Sequence, residues 1–261
     1  MDLKWYPDLL RKPQTNILQV IMIRTNAFDY AIPYIDSVME KTNSNKIVDL
    51  CSGASGPWLR LFDKLQSHAQ ITLTDKYPNL EMFKVINEQT NGKIDFVEQP
   101  IDALEVPETI KGVRTIFTGF HHFKPAEVKK ILQDAQDKGQ AICIFDYVPN
   151  KMLTLVLFPL TFIISLAQFY FLSFLVRPLY FKQILFTNLL PLVPIVSAWD
   201  GFVSALRKYS GDELQEIVDS LTSSEYKWKV GTDISLSRAS PLTYLLGFPS
   251  PLQPLDEQKP A

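Results

Sequence analysis

A chain of 261 residues is long enough to bury one sizeable core, with room for an insertion. Its 26 basic residues nearly balance 28 acidic ones and the isoelectric point is near 6.0, which leaves no electrostatic footprint for a nucleic-acid partner. Two cysteines, Cys51 and Cys143, both in apolar strand-like runs, argue against a disulfide framework and for a reducing compartment. The N-terminus carries no apolar run behind a basic start, so no secretory signal is expected. Apolar residues are spread unevenly. Between positions 152 and 199 the only charges are Arg177 and Lys182.

Residues 1–44 are helical in pattern, with apolar positions at mixed three and four spacings punctuated by Pro7, Pro13 and Pro33. They read either as a lid over a ligand or as a layer covering the sheet. The first strand, 47–49, ends at Asp49 and passes through the turn CSGASG into a helix expected over 57–66. Glycines in such a turn let the backbone approach a ligand, and the free N–H groups of the next helix face it. A second strand, 70–74, ends at Asp75, and a helix follows from Pro78 to about residue 89. A third strand near 94–97 leads to Asp102. The fourth, 113–118, runs into Gly119, Phe120, His121, His122 and Phe123, and Pro125 opens a helix closed by Gly139. The fifth, 141–145, ends at Asp146. Strands alternating with helices argue a doubly wound, mostly parallel α/β sheet, whose ligands bind beyond the carboxyl ends of the strands. The acidic residues and the histidine pair fall at those ends. Past the apolar stretch, an amphipathic helix over about 211–221 precedes two strands, 226–230 and 242–246, that pair antiparallel at the sheet edge.

With DLCSGASG at the first strand end and a final antiparallel pair, the chain resembles a class I S-adenosylmethionine-dependent methyltransferase. Within that family it is similar to a bacterial-type subgroup in which a DLCSG loop occurs with TDKYPN, FHHF and WDG segments. The match departs at two places: the usual first and third glycines are Cys51 and Ser55, and Gly56 comes one residue late. The resemblance implies S-adenosylmethionine as cofactor. It implies that Asp75 holds the ribose hydroxyls, that Asp102 meets the adenine amino group, and that Asp49, Ser52 and Gly53 surround the methionine portion. Thr118 and Gly119 would lie near the sulfonium. The alternatives from the residues alone are a helix N-cap for Asp75 and a turn-stabilising role for Asp102. Where the acceptor carries a proton, His121 and His122 are the candidate general bases, against a role in loop structure. No third ligand stands near the pair, so no metal site is expected.

These readings divide the chain into a helical N-terminal segment (1–44), a methyltransferase-like domain (45–150 and 201–250), a hydrophobic insertion (151–200) and a frayed tail (251–261). The insertion follows the fifth strand, beside the expected cofactor pocket, which points to a hydrophobic small molecule or lipid as acceptor. As one helix, the charge-free run 152–176 would measure roughly 37 Å, enough to cross a hydrocarbon core of about 30 Å. Both ends must return to one sheet, so any crossing is a hairpin. Its tip would carry Arg177 and Lys182 across, against the usual bias of basic residues. Attachment from the cytoplasmic face is therefore the favoured expectation over a full crossing. The alternatives are a membrane-tethered, non-catalytic methyltransferase-like protein and, on the same fold, a nicotinamide-dependent oxidoreductase, whose G-x-G-x-x-G loop is missing here.

Overall fold

The computed structural model describes residues 5–66, 69–147, 150–221, 223, 225–233 and 242–250. The tail over 251–261 lies outside them.

Seven strands form one sheet: β1 (Lys46–Asp49), β2 (Gln70–Leu73), β3 (Ile94–Phe96), β4 (Val113–Phe117), β5 (Ile142–Tyr147), β6 (Tyr226–Asp233) and β7 (Leu242–Pro249). Their order is β3-β2-β1-β4-β5-β7-β6. The first five pair in parallel, and β7 runs antiparallel between β5 and β6, with Ile144 opposite Leu245. Side chains alternate across a strand. Ile47, Phe117 and Phe145 therefore enter one apolar layer with helices α2 (Ile32–Lys41), α3 (Trp58–Leu61) and α4 (Leu80–Gln89). Val48, Ile116 and Ile144 enter the other, against α5 (Pro125–Asp137) and α10 (Gly211–Asp219). Both faces are covered, as a parallel sheet requires.

Local sequence explains the boundaries. Pro125 opens α5, where the missing N–H is no loss, and Ser210 caps α10 in a reciprocal box with Glu213. The helix expected over 57–66 is shorter: α3 ends at Leu61 and a 3₁₀ turn, Phe62–Lys64, finishes it.

Ahead of the sheet comes α1 (Asp8–Thr25), with Pro13 inside it. It turns amides inward: Gln14, Asn16 and Gln19 are buried with Arg11 and Ile17, while Val20, Ile21 and Ile23 are only half-buried. Downstream, Asp29 accepts both Arg60 Nε and Nη2, at 2.7 and 2.8 Å, which ties the N-terminal segment to α3.

Between β5 and α10 lies a helical cap made of α6 (Lys151–Val156), α7 (Phe158–Leu172), α8 (Phe181–Ile184), a π-helical turn (Leu185–Leu189) and α9 (Leu192–Arg207). The charge-free run is not one helix. It breaks at Leu157, ahead of Pro159, whose ring cannot follow an unbroken helix. What remains helical and apolar is Phe158–Leu175, 18 residues, long and apolar enough by length and composition to cross a membrane. The later pair, Phe181–Leu189 and Leu192–Arg207, is bent by 73°. The cap folds back rather than projecting outward: α7 packs along α9, and both touch α1.

Candidate active site

Four of the six residues from Cys51 to Gly56 have positive φ: Cys51 (59°), Gly53 (57°), Ser55 (102°) and Gly56 (51°). That conformation favours glycine, and a residue with a Cβ pays about 1–3 kcal/mol to hold it. Cys51 and Ser55 thus take the backbone form of the glycines they replace. The surroundings hold them there. Ser52 N donates to Thr74 O at 3.0 Å, its hydroxyl donates to Asp49 O at 2.9 Å and accepts from Thr74 N, and Ser55 N closes a turn on Ser52 O. From above, Gln19 Nε2 donates to Ala54 O and to Ser55 Oγ, both at 2.7 Å. A Cβ on Gly53 would stand 3.3 Å from the Thr15 methyl group, so α1 lies directly on the loop.

Asp75 bridges two strand ends. Its Oδ2 accepts Gly53 N and its Oδ1 accepts Tyr77 N, each at 2.8 Å. It is not the cap of α4, whose N-cap is Asn79. Two oxygens with about four lone-pair directions between them make a carboxylate suited to a diol. Asp102 accepts Lys76 Nζ at 2.5 Å and Leu104 N at 3.1 Å, the second being the turn-stabilising bond. Partial burial would raise its pKa, but Lys76 and the Leu104 N–H outweigh that and hold it below the usual carboxylate value.

Asp49, expected beside the methionine portion, is buried below the loop. Only 2% exposed, it accepts the Thr115 hydroxyl at 2.7 Å. Burial pushes its pKa up to about 7, against the pull of Ser52, Trp58 and Thr115 beside it. It braces the loop from inside. Ser52 is likewise buried and spent on backbone bonds, so its contribution to a ligand is the turn it stabilises.

At the end of β4, Thr118 also has positive φ (54°), and Gly119 approaches the loop so closely that a Cβ there would meet Cys51 Cβ at 3.2 Å. The 3₁₀ turn that follows, Phe120–His122, carries both histidines. The pair divides. His121 is buried and its Nδ1 lies 2.7 Å from Asp146 Oδ2, while His122 is half-buried, its ring centroid 4.3 Å from that of His121. Asp146 also accepts Lys208 Nζ at 2.6 Å, and that ammonium lies 3.1 Å from the Tyr147 ring centroid. Burial would push the Asp146 carboxyl up, but Lys208 and His121 more than reverse this and keep it ionised. Burial lowers the His121 pKa below its ordinary 6.5, with the Asp146 attraction only partly opposing. A neutral imidazole facing an ionised carboxylate carries its proton on Nδ1, which leaves Nε2 as a base. Among the described residues, no group of three or more His, Cys, Asp or Glu side chains is arranged to hold a metal ion.

The lid reading of residues 1–44 does not single out Thr15 or Gln19, and nothing in the sequence points to Lys208. Amides on a helix read as solvent-facing, and Thr15 and Gln19 stand on a helix whose apolar positions drew attention elsewhere. Lys208 is 62 residues from Asp146 along the chain. A signal existed for α1: Arg11, Thr15 and Gln19 are spaced by four, which puts them on one stripe.

Among solved structures the chain is similar to the pyocyanin biosynthetic protein PhzM, with 10% identity and a TM-score of 0.50 over 88% of this chain and 56% of that one. It is also similar to the CurJ carbon methyltransferase, with 9% identity and a TM-score of 0.51 over 90% and 57%. The chain thus spans a little over half the length of these proteins, and the likeness at such identity is one of fold. No family model and no curated protein matches it. The chain has the class I methyltransferase fold, with its antiparallel seventh strand.

Proposed function

We propose that the chain is an S-adenosylmethionine-dependent methyltransferase acting on a hydrophobic small molecule or lipid. The observation that carries the reading is the bridge from Asp75 to Gly53 at adjoining parallel strand ends, in a sheet ordered β3-β2-β1-β4-β5-β7-β6. It sets an acidic diol acceptor against a loop held in the glycine conformation even at Cys51 and Ser55. A nicotinamide reading is disfavoured by the same sheet, since dinucleotide-binding domains of that type are parallel in strand order 3-2-1-4-5-6. The reading of a degenerate, non-catalytic loop rested on Cys51 and Ser55, and the backbone they adopt speaks against it.

In this reading Asp75 accepts the ribose hydroxyls and Asp102 lies on the adenine side. Gly53 presents backbone to the methionine portion over a floor of Ser52 and Asp49, and Thr118 and Gly119 border the reacting end. The cofactor supplies an electrophilic methyl group on a sulfonium. The protein's part is alignment, which is worth several orders of magnitude in such displacements. His121 removes a proton from the acceptor through Nε2, while Asp146 fixes its tautomer and Lys208 fixes Asp146; His122 lines the same turn. The hydrophobic acceptor class follows from the cap, since α9 touches the turn that carries His121 and the cap's outer surface is apolar.

The test is transfer of labelled methyl from S-adenosylmethionine to a cell extract split into organic and aqueous phases. Label in the organic phase, absent with His121→Ala, is the expected result. Label confined to the aqueous phase overturns the acceptor class, and no label from any extract overturns the activity.

A further inference from the structure

The cap is built inside out. Ser173, Gln183, Thr187 and Ser197 are buried within it, each at most 4% exposed. Nineteen of the twenty-two exposed large hydrophobic residues among the described residues belong to residues 152–199, including Ile163 at 63%, Phe171 at 66%, Phe181 at 79% and Leu189 at 73%. Of the apolar stretch Phe158–Leu175, only 11% is buried. A monomer in water seldom shows so continuous an apolar surface.

The geometry points to a lipid surface as the partner of this cap: residues 152–199 lie on the near leaflet of a membrane, and the acceptor reaches the site from that leaflet. This rests on the methyltransferase reading for the acceptor and on the cap alone for the docking. Three observations choose lipid over a second copy of the chain. Exposed apolar side chains occur on every piece of the cap, from α6 through α7 and the π-helical turn to α9, whereas a dimer contact takes one patch. Ser173, Gln183, Thr187, Ser197 and Ala198 pack inside beside Phe169, Val176 and Val193, while most of the bulky apolar side chains face out, an arrangement that a hydrocarbon solvent selects. From 152 to 199 the only charges are the basic Arg177 and Lys182, so the surface complements anionic headgroups. Tyr170 and Trp199, both exposed, have the apolar body and polar tip suited to that boundary.

Geometry also separates lying on the membrane from crossing it. Asn16 of α1 donates to Gln183 of α8 at 3.4 Å and accepts from Asn79 at 2.9 Å. The tip of the hairpin is thus held at the edge of the sheet domain. At the other end, Lys208 meets Asp146 as the chain returns to the sheet. The hairpin is thus tied to the sheet domain at its tip and at its base, which fits a cap that lies along a membrane surface better than one that projects through it.

The experiment is flotation of the full chain, diluted from mild detergent, with vesicles of phosphatidylcholine alone or containing phosphatidylglycerol. Binding is expected to both and tighter to the anionic vesicles. Ile163→Asp and Phe171→Asp are each expected to weaken it at least about tenfold, because each removes a large side chain from hydrocarbon. Circular dichroism checks the fold of each variant. On bound protein, Leu179→Cys should react with an impermeant maleimide added outside the vesicles. Reaction only after the vesicles are opened overturns the interfacial placement. Wild-type protein that leaves vesicles unbound, or sediments as a dimer that Ile163→Asp dissociates, overturns the lipid partner. A calorimetric titration with S-adenosylmethionine run alongside separates the two readings: flotation without titration sinks the cofactor, titration without flotation sinks the docking.

Discussion

The sheet domain and the cap obey the same rule with opposite results. In the sheet, Ile47, Ile116 and Phe145 are buried, and the charged Asp75, Lys76 and Asp102 stand at the strand ends. In the cap, Ser173, Thr187 and Ser197 are inside and Ile163, Phe171 and Trp199 are outside. Burying apolar area is worth about 25 cal/mol per Å² only where the alternative is water. Most of the cap's bulky side chains give up that gain, which is what the proposed lipid docking would account for. Sheet domain and cap meet along α1, whose amides serve both: Gln19 binds the loop, and Asn16 reaches the cap.

The sharpest way to break this comparison is one substitution in two places. Ile116→Asp, in the sheet core, is expected to cost more than about 4 kcal/mol and leave the chain unfolded, because it buries a charge without a partner. Ile163→Asp in the cap should change stability in water by no more than about 0.5 kcal/mol. Urea unfolding measures both. Equal losses would make the cap an ordinary core.

The proposed catalysis belongs to the sheet side of the comparison. His121→Ala is expected to lower turnover about 10²–10⁴-fold with cofactor affinity unchanged. His122→Ala should have the smaller effect, since only His121 has Asp146 at Nδ1. The pH profile tests the assembly. Activity should fall on the acid side with a midpoint below 6.5, since burial depresses the His121 pKa. Lys208→Met removes a charge that lowers that pKa and should move the acid limb up, whereas Asp146→Asn removes the attraction that raises it and should move the limb down. A structural role alone would not shift the two in opposite directions.

Asp49 sharpens the contrast from within the core. Its folded pKa, about 7, lies above the unfolded value of 3.8, so its protonated form favours folding. That stability is complete below about pH 4 and is lost as pH rises toward 7, by up to about 4 kcal/mol from a shift of roughly three units. Asp49→Asn should remove this slope and exceed the wild type in stability at pH 8. Denaturant midpoints of the two proteins at pH 5 and pH 8 show it by difference.

Most of the sheet was legible because its signals are local. Apolar runs ending in Asp49, Asp75 and Asp146 mark strand ends, Pro125 and the box from Ser210 to Glu213 mark helix starts, and the antiparallel pair closes the sheet as expected. The acidic and histidine positions were legible for the same reason. Their division of labour was not. Whether Asp49 faces a ligand or a threonine depends on which face of β1 its side chain takes relative to β4, a matter of register between strands 66 residues apart. The cap was legible as apolar, but its break at Leu157 and its return across α1 depend on packing that composition does not encode.

The central claim is that S-adenosylmethionine binds between the β1 loop and the end of β2, and isothermal titration of the full chain tests it most directly. A saturable heat is expected with S-adenosylmethionine and none with NAD. Asp75→Ala should weaken the binding by about 3–6 kcal/mol, since two charge-assisted hydrogen bonds are lost. No heat with S-adenosylmethionine, binding that Asp75→Ala leaves intact, or a titration with NAD in its place would contradict it.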